Sequence, residues 1–340
     1  MNSTEIAKLA NVSRSTVSRV INNYSNVDPI TKKKVQDVIN KYGYTPNISA
    51  RNLAGKANNI IGLFIADIVT DNVKEREFIG SDSPYNNRFI KEVIKAAHSK
   101  GFLVLIDIIT DNKDVSKMET YFSNKLVTGG IFIGFPYKNF ELEKLARTNS
   151  HVVLIDQLAI NDPNRDEFSL INVDDEYGGY IQTNYLINHG HKEIAFIEGD
   201  NRLSAIARKA GYIKALQESK INIDYNKIVY GGYKQKESYN VTTELLDNSN
   251  ITAIVCANDI EAYGAFKAIK KKGLRIPEDI SLIGYDNLEF TNEIQLNLTT
   301  CTIDVKDMAS KAVNSSIVGD KKEEILKPYI IERKSVLKIK

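Results

Sequence analysis

The chain has 340 residues, a formal net charge of +2, two cysteines and no tryptophan. That length accommodates a small domain plus about two α/β lobes. The two cysteines, Cys256 and Cys301, lie in apolar strand-like runs and read as core, which excludes a disulfide scaffold. No apolar run approaches the roughly 20 residues of a membrane-spanning helix, and the polar N-terminus enters a helical pattern directly, without a secretory signal. A cytoplasmic protein with no membrane association is expected.

The head opens with a helix capped by Asn2 or Ser3, with Glu5 three residues after Asn2 as in a capping box. Ile6, Leu9 and Ala10 fall on one helical face. Asn11 stands where the helix must end with a positive φ, a position at which Asn is second only to glycine. Ser13 caps a second helix with Val17, Val20 and Ile21 inside and Arg14, Ser15, Ser18 and Arg19 outside. Asp28-Pro29 starts a third helix, an Asp cap followed by Pro at the first helical position. Val35, Val38 and Ile39 are its apolar stripe, and Gly43 ends it.

Residues 1–58 hold nine basic and three acidic side chains, a net charge of +6, which leaves the remainder near −4. Charge concentrated on a three-helix head fits a phosphate-facing surface. The arrangement is a helix-turn-helix, which places its second helix in a DNA major groove.

The run Ala7-Lys-Leu-Ala-Asn-Val-Ser-Arg-Ser-Thr-Val-Ser-Arg-Val-Ile-Asn22, followed by Tyr42-Gly-Tyr-Thr-Pro-Asn47, resembles the head of the lactose-repressor/galactose-repressor (LacI/GalR) family. The resemblance extends to about Val336. It departs at Asn11, where the family usually has glycine. It implies that Arg14 and Ser15 read bases, an Arg there favouring guanine N7 and O6. Thr16, Ser18, Arg19 and Asn22 would hold phosphates or neighbouring bases. Asn47–Ala54 is too short for a helix that is stable alone in water. The resemblance makes it a hinge helix that orders on DNA, with Leu53 wedged into the minor groove and Ala50, Arg51 and Asn52 lining it. The implied division is a DNA-binding domain at 1–46, a hinge and linker at 47–58, and an effector-binding and dimerisation body at 59–340.

From Ile60 onward, short apolar strands alternate with amphipathic helices, which implies parallel sheets covered on both faces. The strands fit two side-by-side doubly wound lobes, whose ligands bind beyond the strand carboxyl ends. The resemblance implies a body like periplasmic sugar-binding proteins, with crossings near 157, 286 and 318. The lobes would then be 59–156 with 287–317, and 157–286 with 318–340.

The sequence contains no Walker loop, no GxGxxG after a strand, no HExxH and no CxxC pair, so neither an enzyme nor a cofactor is expected. His189 and His191 flank Gly190 in a turn and read as structure, not metal ligands. Of Asp174 and Asp175 at a strand-to-helix junction, capping explains at least one, and Asp174 is placed to face the cleft.

At strand ends stand Asp156, Arg208, Tyr233, Asn258 and Asp286, a set with planar polar groups for vicinal hydroxyls and an aromatic face for a sugar ring. The family's effector residues map onto these five; for Asp259 the helix-cap reading is better. An insertion at Val69–Asp82 precedes Tyr85, a further, weaker pocket candidate. The resulting expectation is a homodimeric repressor released from a palindromic operator by a sugar or glycoside. The chain has no heptad tail after its last strand, expected at Ile330–Leu337, which points to a dimer. The alternatives are corepressor control or activation by the same DNA-binding protein, and, from another class, a solute carrier.

Overall fold

A computed structural model describes residues 1–21, 24–44, 58–66, 83–110, 112–135, 140–147, 150–156, 165–292 and 296–339. Asn22, the hinge residues Ala50, Arg51, Asn52 and Leu53, and the Val69–Asp82 insertion lie outside the described residues. The chain divides into two compact units, Met1–Asn58 with Asn124–Leu126, and Asn59–Ser123 with Val127–Lys340.

The head contains α1 (Ser3–Leu9), α2 (Arg14–Ile21) and α3 (Pro29–Tyr42). Asn2 Oδ1 accepts the Thr4 and Glu5 amides at 3.0 Å, and Glu5 Oε2 accepts the Asn2 amide at 3.0 Å. This reciprocal box satisfies donors that a helix start otherwise leaves orphaned. Ser13 Oγ accepts the Thr16 amide at 3.1 Å and opens α2. Asp28 accepts the Thr31 amide at 2.9 Å, and Pro29 starts α3. Asn11 has φ 51° and Gly43 φ 58°. Ile6, Ala7, Ala10, Val17, Val20 and Val35 form the core. Leu9, expected inside, is 47 % exposed, because Ala7 turns inward instead. A stripe centred on residues 6, 7 and 10 leaves position 9 about 100° around the helix.

The body contains two six-stranded sheets. The first has the order β11-β5-β4-β3-β1-β2, with β1 (Ile60–Ala66), β2 (Leu103–Ile109), β3 (Gly129–Ile133), β4 (His151–Ile155), β5 (Ser169–Val173) and β11 (Glu323–Leu326). The second has the order β12-β10-β9-β8-β6-β7, with β6 (Ile194–Glu198), β7 (Ile228–Tyr230), β8 (Ala253–Cys256), β9 (Ser281–Tyr285), β10 (Thr299–Thr302) and β12 (Tyr329–Ile331). Every pairing is parallel except β12 against β10. The helices are α4 (Pro84–Ser99), α5 (Asn112–Ser123), α6 (Phe140–Arg147), α7 (Asp175–Asn188), α8 (Leu203–Glu218), α9 (Gln235–Asn248), α10 (Asp259–Lys271) and α11 (Val305–Val318).

The continuous apolar run of β1 follows from burial on both faces. Ile61, Leu63 and Ile65 pack with Phe89, Val93 and Ala97 of α4 and with Met308, Ala309 and Val313 of α11. Phe64 points the other way, into a cluster with Phe132, Leu154, Met118 and Leu142. The second sheet repeats the scheme. Ile197, Cys256 and Leu282 meet α9 and α10, while Phe196, Val255 and Ile283 meet α7 and α8.

The crossings differ from the expected 157, 286 and 318. Strand β5 pairs with β4 and β11 in the first sheet, and β10 pairs with β9 in the second. The chain therefore changes lobe at Asp174, at Ile303–Asp304 and at Lys327–Pro328. The first lobe takes residues from Asn59 to Val173 and 305–326, and the second takes 175–302 and 329–339. The first shift comes from β5, an apolar strand that joins the first sheet beside β4 instead of the second; the other two come from strands that hydropathy hides. β10 is Thr-Thr-Cys-Thr, polar by composition yet wholly buried. β11 is a sheet edge carrying Glu323 and Glu324. Helix α11 packs on the first sheet, so its residues join the first lobe.

Candidate functional site

In the head, the exposed face of α2 carries Arg14, Ser15, Ser18 and Arg19, while Thr16 is half-buried. Arg14 Nε donates to Ser3 Oγ at 3.2 Å, which ties the start of α2 to the start of α1. The Ser13 hydroxyl lies 2.7 Å from Ser15 Oγ and 2.8 Å from Thr16 Oγ1. Charged and hydroxyl groups thus stand together on one face over an apolar core, the composition that suits phosphate and base-edge contacts.

In the body, the strand carboxyl ends bend sharply. Asp156 after β4 has φ 54°, Tyr233 after β7 has φ 59°, and Asp286 and Asn287 after β9 have φ 105° and 53°. Asp and Asn tolerate this region better than other side chains, and Tyr does not. Tyr233 is held there by its amide, which donates to Glu261 Oε1 at 2.9 Å. Strain of this kind concentrates at ligand sites.

Arg208 is the centre of the cluster. Helices α7 and α8 cross at Gly179 and Gly211, where a Cβ would strike the Arg208 or Glu176 carbonyl. This close crossing brings Arg208 of α8 onto the first turn of α7. Its Nε donates to Asp175 Oδ1 at 2.8 Å and its Nη1 to the Ala257 carbonyl at 2.6 Å. Nη1 lies 3.9 Å from Asp286 Oδ1. The guanidinium stacks on Tyr285, 3.5 Å from the ring centroid. Burial works against its charge, but the surrounding carboxylates and tyrosines outweigh it and keep the group protonated.

Burial, with the Asp175 charge adding to it, lifts the Asp156 carboxyl to about 7. Burial also lifts Asp286 to about 7, against the pull of Arg208. Asp175 is likewise raised by burial and drawn back by Arg208. Asp156 Oδ1 is closed off from solvent and accepts no hydrogen bond. Arg88 of α4, in the first lobe, reaches across to the second. Its Nη1 donates to the Asp286 and Asn287 carbonyls at 3.0 and 3.2 Å. Asp259 accepts the Leu288 amide at 2.8 Å and the Thr300 hydroxyl at 2.7 Å, which holds the Asp286 loop from beneath.

The structure thus brings Asp156, Arg208 and Asp286 together, with Tyr85 beside them. The Tyr85 phenol is raised well by burial and by the Asp156 and Asp286 charges, and its oxygen lies 3.6 Å from Met308 Sδ. Three expectations are revised. Asn258 caps α10, accepting the Glu261 amide at 2.9 Å, and Asp259 is a buried acceptor, the reverse of the expected division of roles. Asp174 caps α7 through the Tyr177 amide at 3.0 Å, and Asp175 is the carboxylate that meets Arg208. The Tyr233 ring offers no open face: Arg202 lies 4.4 Å above its centroid, and a Cβ on Gly199 would strike it. Sequence reasoning passed over Arg88, Arg202 and Glu261. Only Glu261 carried a signal, as the third residue after the Asn258 cap.

His191 bridges Thr252 Oγ1 at 2.9 Å and the Leu337 carbonyl at 3.1 Å, and His189 Nδ1 lies 2.7 Å from the Tyr185 carbonyl. Both serve the turn. Among the described residues no three His, Cys, Asp or Glu side chains are arranged to hold a metal, and no helix is long and apolar enough to cross a membrane.

A helix-turn-helix head joined to a two-lobed α/β body with a polar cleft defines a class, the DNA-binding transcriptional regulators that respond to small molecules. A model of the bacterial regulatory proteins of the lacI family matches residues 4–47, and a periplasmic binding protein-like domain matches residues 183–336. The chain is 31 % identical to the HTH-type transcriptional repressor PurR of Pasteurella multocida (strain Pm70), over 98 % of this chain and 97 % of that protein. It is 30 % identical to the HTH-type transcriptional regulator DegA of Bacillus subtilis (strain 168), over 97 % and 96 % of the two chains. The lac repressor dimer bound to operator and the anti-inducer ONPF superposes with a TM-score of 0.78 at 25 % identity, covering 99 % of each chain. The cellobiose complex of the transcriptional regulator CelR gives 0.68 at 23 %, covering 98 % and 99 %. The chain belongs to the LacI family of DNA-binding transcriptional regulators, and its relatives are regulators, not enzymes.

Proposed function

We propose that the chain is a cytoplasmic, homodimeric repressor that leaves a palindromic operator when a sugar or glycoside fills the cleft between the lobes. The observation that carries the reading is that Asp156, at the end of a first-lobe strand with a buried oxygen that has no partner, feels the charges of Arg208 and Asp286 from the second lobe. A polyhydroxyl ligand bridging them joins both lobes at once. Arg14 and Ser15 are the base readers, and Thr16, Ser18, Arg19 and Asn22 hold phosphates or neighbouring bases. Ala50, Arg51, Asn52 and Leu53 form the minor-groove hinge, a role that rests on the family resemblance alone. Tyr233 and Asn258 support the pocket from behind, the first through its ring and the second as a helix cap. Release requires the ligand to favour the state of lower operator affinity.

The test is selection of binding sites from random duplexes by the full-length chain, followed by operator titration. The reading expects two inverted half-sites and an affinity that falls when sugar is added. Retention of unrelated sequences with equal strength would sink it.

A further inference from the structure

We propose that Ser3, which opens α1, is a specificity residue of the DNA interface: its hydroxyl holds the Arg14 guanidinium in the pose that reads a guanine, so that operator discrimination depends on a side chain of the neighbouring helix. The inference rests on the reading of Arg14 as a base reader and adds the residue that positions it.

Both side chains start from fixed backbone. Ser3 follows the Asn2 cap, which the reciprocal box with Glu5 holds in place. Arg14 follows Ser13, whose hydroxyl caps α2 through the Thr16 amide. Ile6, Ala7 and Ala10 pack against Val17 and Val20, so the core sets the separation of the two helix starts. Across that gap Arg14 Nε donates to Ser3 Oγ at 3.2 Å, with Arg14 exposed and Ser3 half-buried. A reading group held by a neighbour on a rigid element has its geometry set before the ligand arrives.

The bond falls on the right nitrogen. A guanidinium carries five N–H donors in one plane. Ser3 takes the one on Nε, and among the described residues nothing engages the two Nη groups of Arg14. Their end-on pair of donors matches guanine O6 and N7. A long side chain also loses rotamer freedom when it docks on a base, and a tie already made in the free protein reduces that loss.

Ser3 orients the group without neutralising it. A carboxylate in its place would compete with the DNA for the positive charge. Glu5, the acid nearest to Ser3 in the sequence, is turned to the cap instead: its Oε2 accepts the Asn2 amide at 3.0 Å and its Oε1 the Asn2 side-chain amide at 3.2 Å. Arg14 forms no ion pair among the described residues. Its whole charge is therefore left for the polyanionic duplex.

The experiment uses the full-length chain and three duplexes. The first is the operator returned by selection from random duplexes. The second is that operator with the base pair whose preference Arg14→Ala loses exchanged in both half-sites, and the third is an unrelated duplex. Fluorescence anisotropy at one salt concentration gives each Kd, and the ratio of the second to the first is the discrimination. Ser3→Ala should lower the discrimination about three- to tenfold, the worth of one hydrogen bond, with the melting temperature and binding to the unrelated duplex unchanged. Ser3→Thr, which keeps a hydroxyl, should restore it. In the Arg14→Ala background Ser3→Ala should change nothing further, because the two residues act as one. Unchanged discrimination in Ser3→Ala would overturn the inference while leaving Arg14 a base reader. So would equal weakening on all three duplexes, a Thr variant no better than the Ala one, or a further loss in the Arg14→Ala background. An Arg14→Ala protein that prefers the same bases as the native one would sink the base-reader reading itself, and the inference with it.

Discussion

Arg208 of α8 and Asp175 of α7 form a 2.8 Å ion pair in which both side chains are about nine-tenths buried, at 11 % and 5 % exposure. The pair exists because Gly179 and Gly211 let the two helices touch. It fixes the Arg208 guanidinium, whose Nη1 lies 3.9 Å from Asp286 Oδ1.

Arg208→Met should therefore lower stability by about 3 kcal/mol, because Asp175 is left buried without its partner. It should also abolish the response to sugar while operator binding persists. Denaturant unfolding and operator titration check the two halves. Loss of operator binding in a folded variant would contradict the separation of roles.

The raised carboxyls give a pH signature. Asp156 and Asp286 rise from 3.8 to about 7, and Glu261 rises from 4.5 to about 8, all chiefly through burial. Between the unfolded and folded values the native protein holds protons that the unfolded chain has released. This stabilisation is full below about pH 4 and is lost as pH rises through 7 and 8. His191, lowered from 6.5 by burial, acts in the opposite direction on the acid side, so the clean window is pH 6.5–8.5. There stability should fall as pH rises, by at most about 1.4 kcal/mol per pH unit for each group, and the melting temperature should fall with it. Glu261→Gln should flatten the upper part of the curve. A melting temperature that rises from pH 6.5 to 8.5 would contradict the assignment.

Asn11 has φ 51° in the turn of the head. Asn11→Gly should be neutral or stabilise by a few tenths of a kcal/mol, whereas Asn11→Val should cost about 1–2 kcal/mol, because a β-branched side chain is strained at positive φ. Circular dichroism melting and operator affinity report both.

Arg14→Ala should change which operator bases are preferred, whereas Lys34→Ala, which removes one cation of the basic head, should weaken every sequence alike and reduce the salt dependence. Selection from random duplexes with each variant separates the two effects. An unchanged consensus at unchanged strength for Arg14→Ala would remove it from the base readers.

Much of this was legible in the sequence because local chemistry agreed with the fold. The capping box at Asn2 and Glu5, the cap at Ser13, the Asp28-Pro29 start and the positive-φ Asn11 are all decided within a few residues, and all stand in the structure. Strands β1, β5 and β8 were readable because parallel strands buried on both faces become continuous apolar runs. What depends on distant partners was not readable. The crossing at Ile303–Asp304 turns on β10, whose threonines look polar until Asp259, Arg333 and Ser335 engage Thr299 and Thr300, and the one at Asp174 on which sheet β5 joins. Of the Asp174-Asp175 pair, one caps and one pairs with Arg208. Only the α7–α8 crossing decides which. Arg88 had no local signal, since its partners are carbonyls 198 and 199 residues away.

The central claim is that the cleft controls the head. The most direct measurement is the operator Kd of the full-length chain with and without the sugar that binds the cleft, in the native protein and in Arg208→Met. The account predicts that sugar weakens operator binding about 5- to 150-fold in the native protein, the usual range of such coupling, and leaves the variant unchanged. A sugar that occupies the cleft while operator affinity stays the same, or a shift that survives intact in the variant, would contradict it.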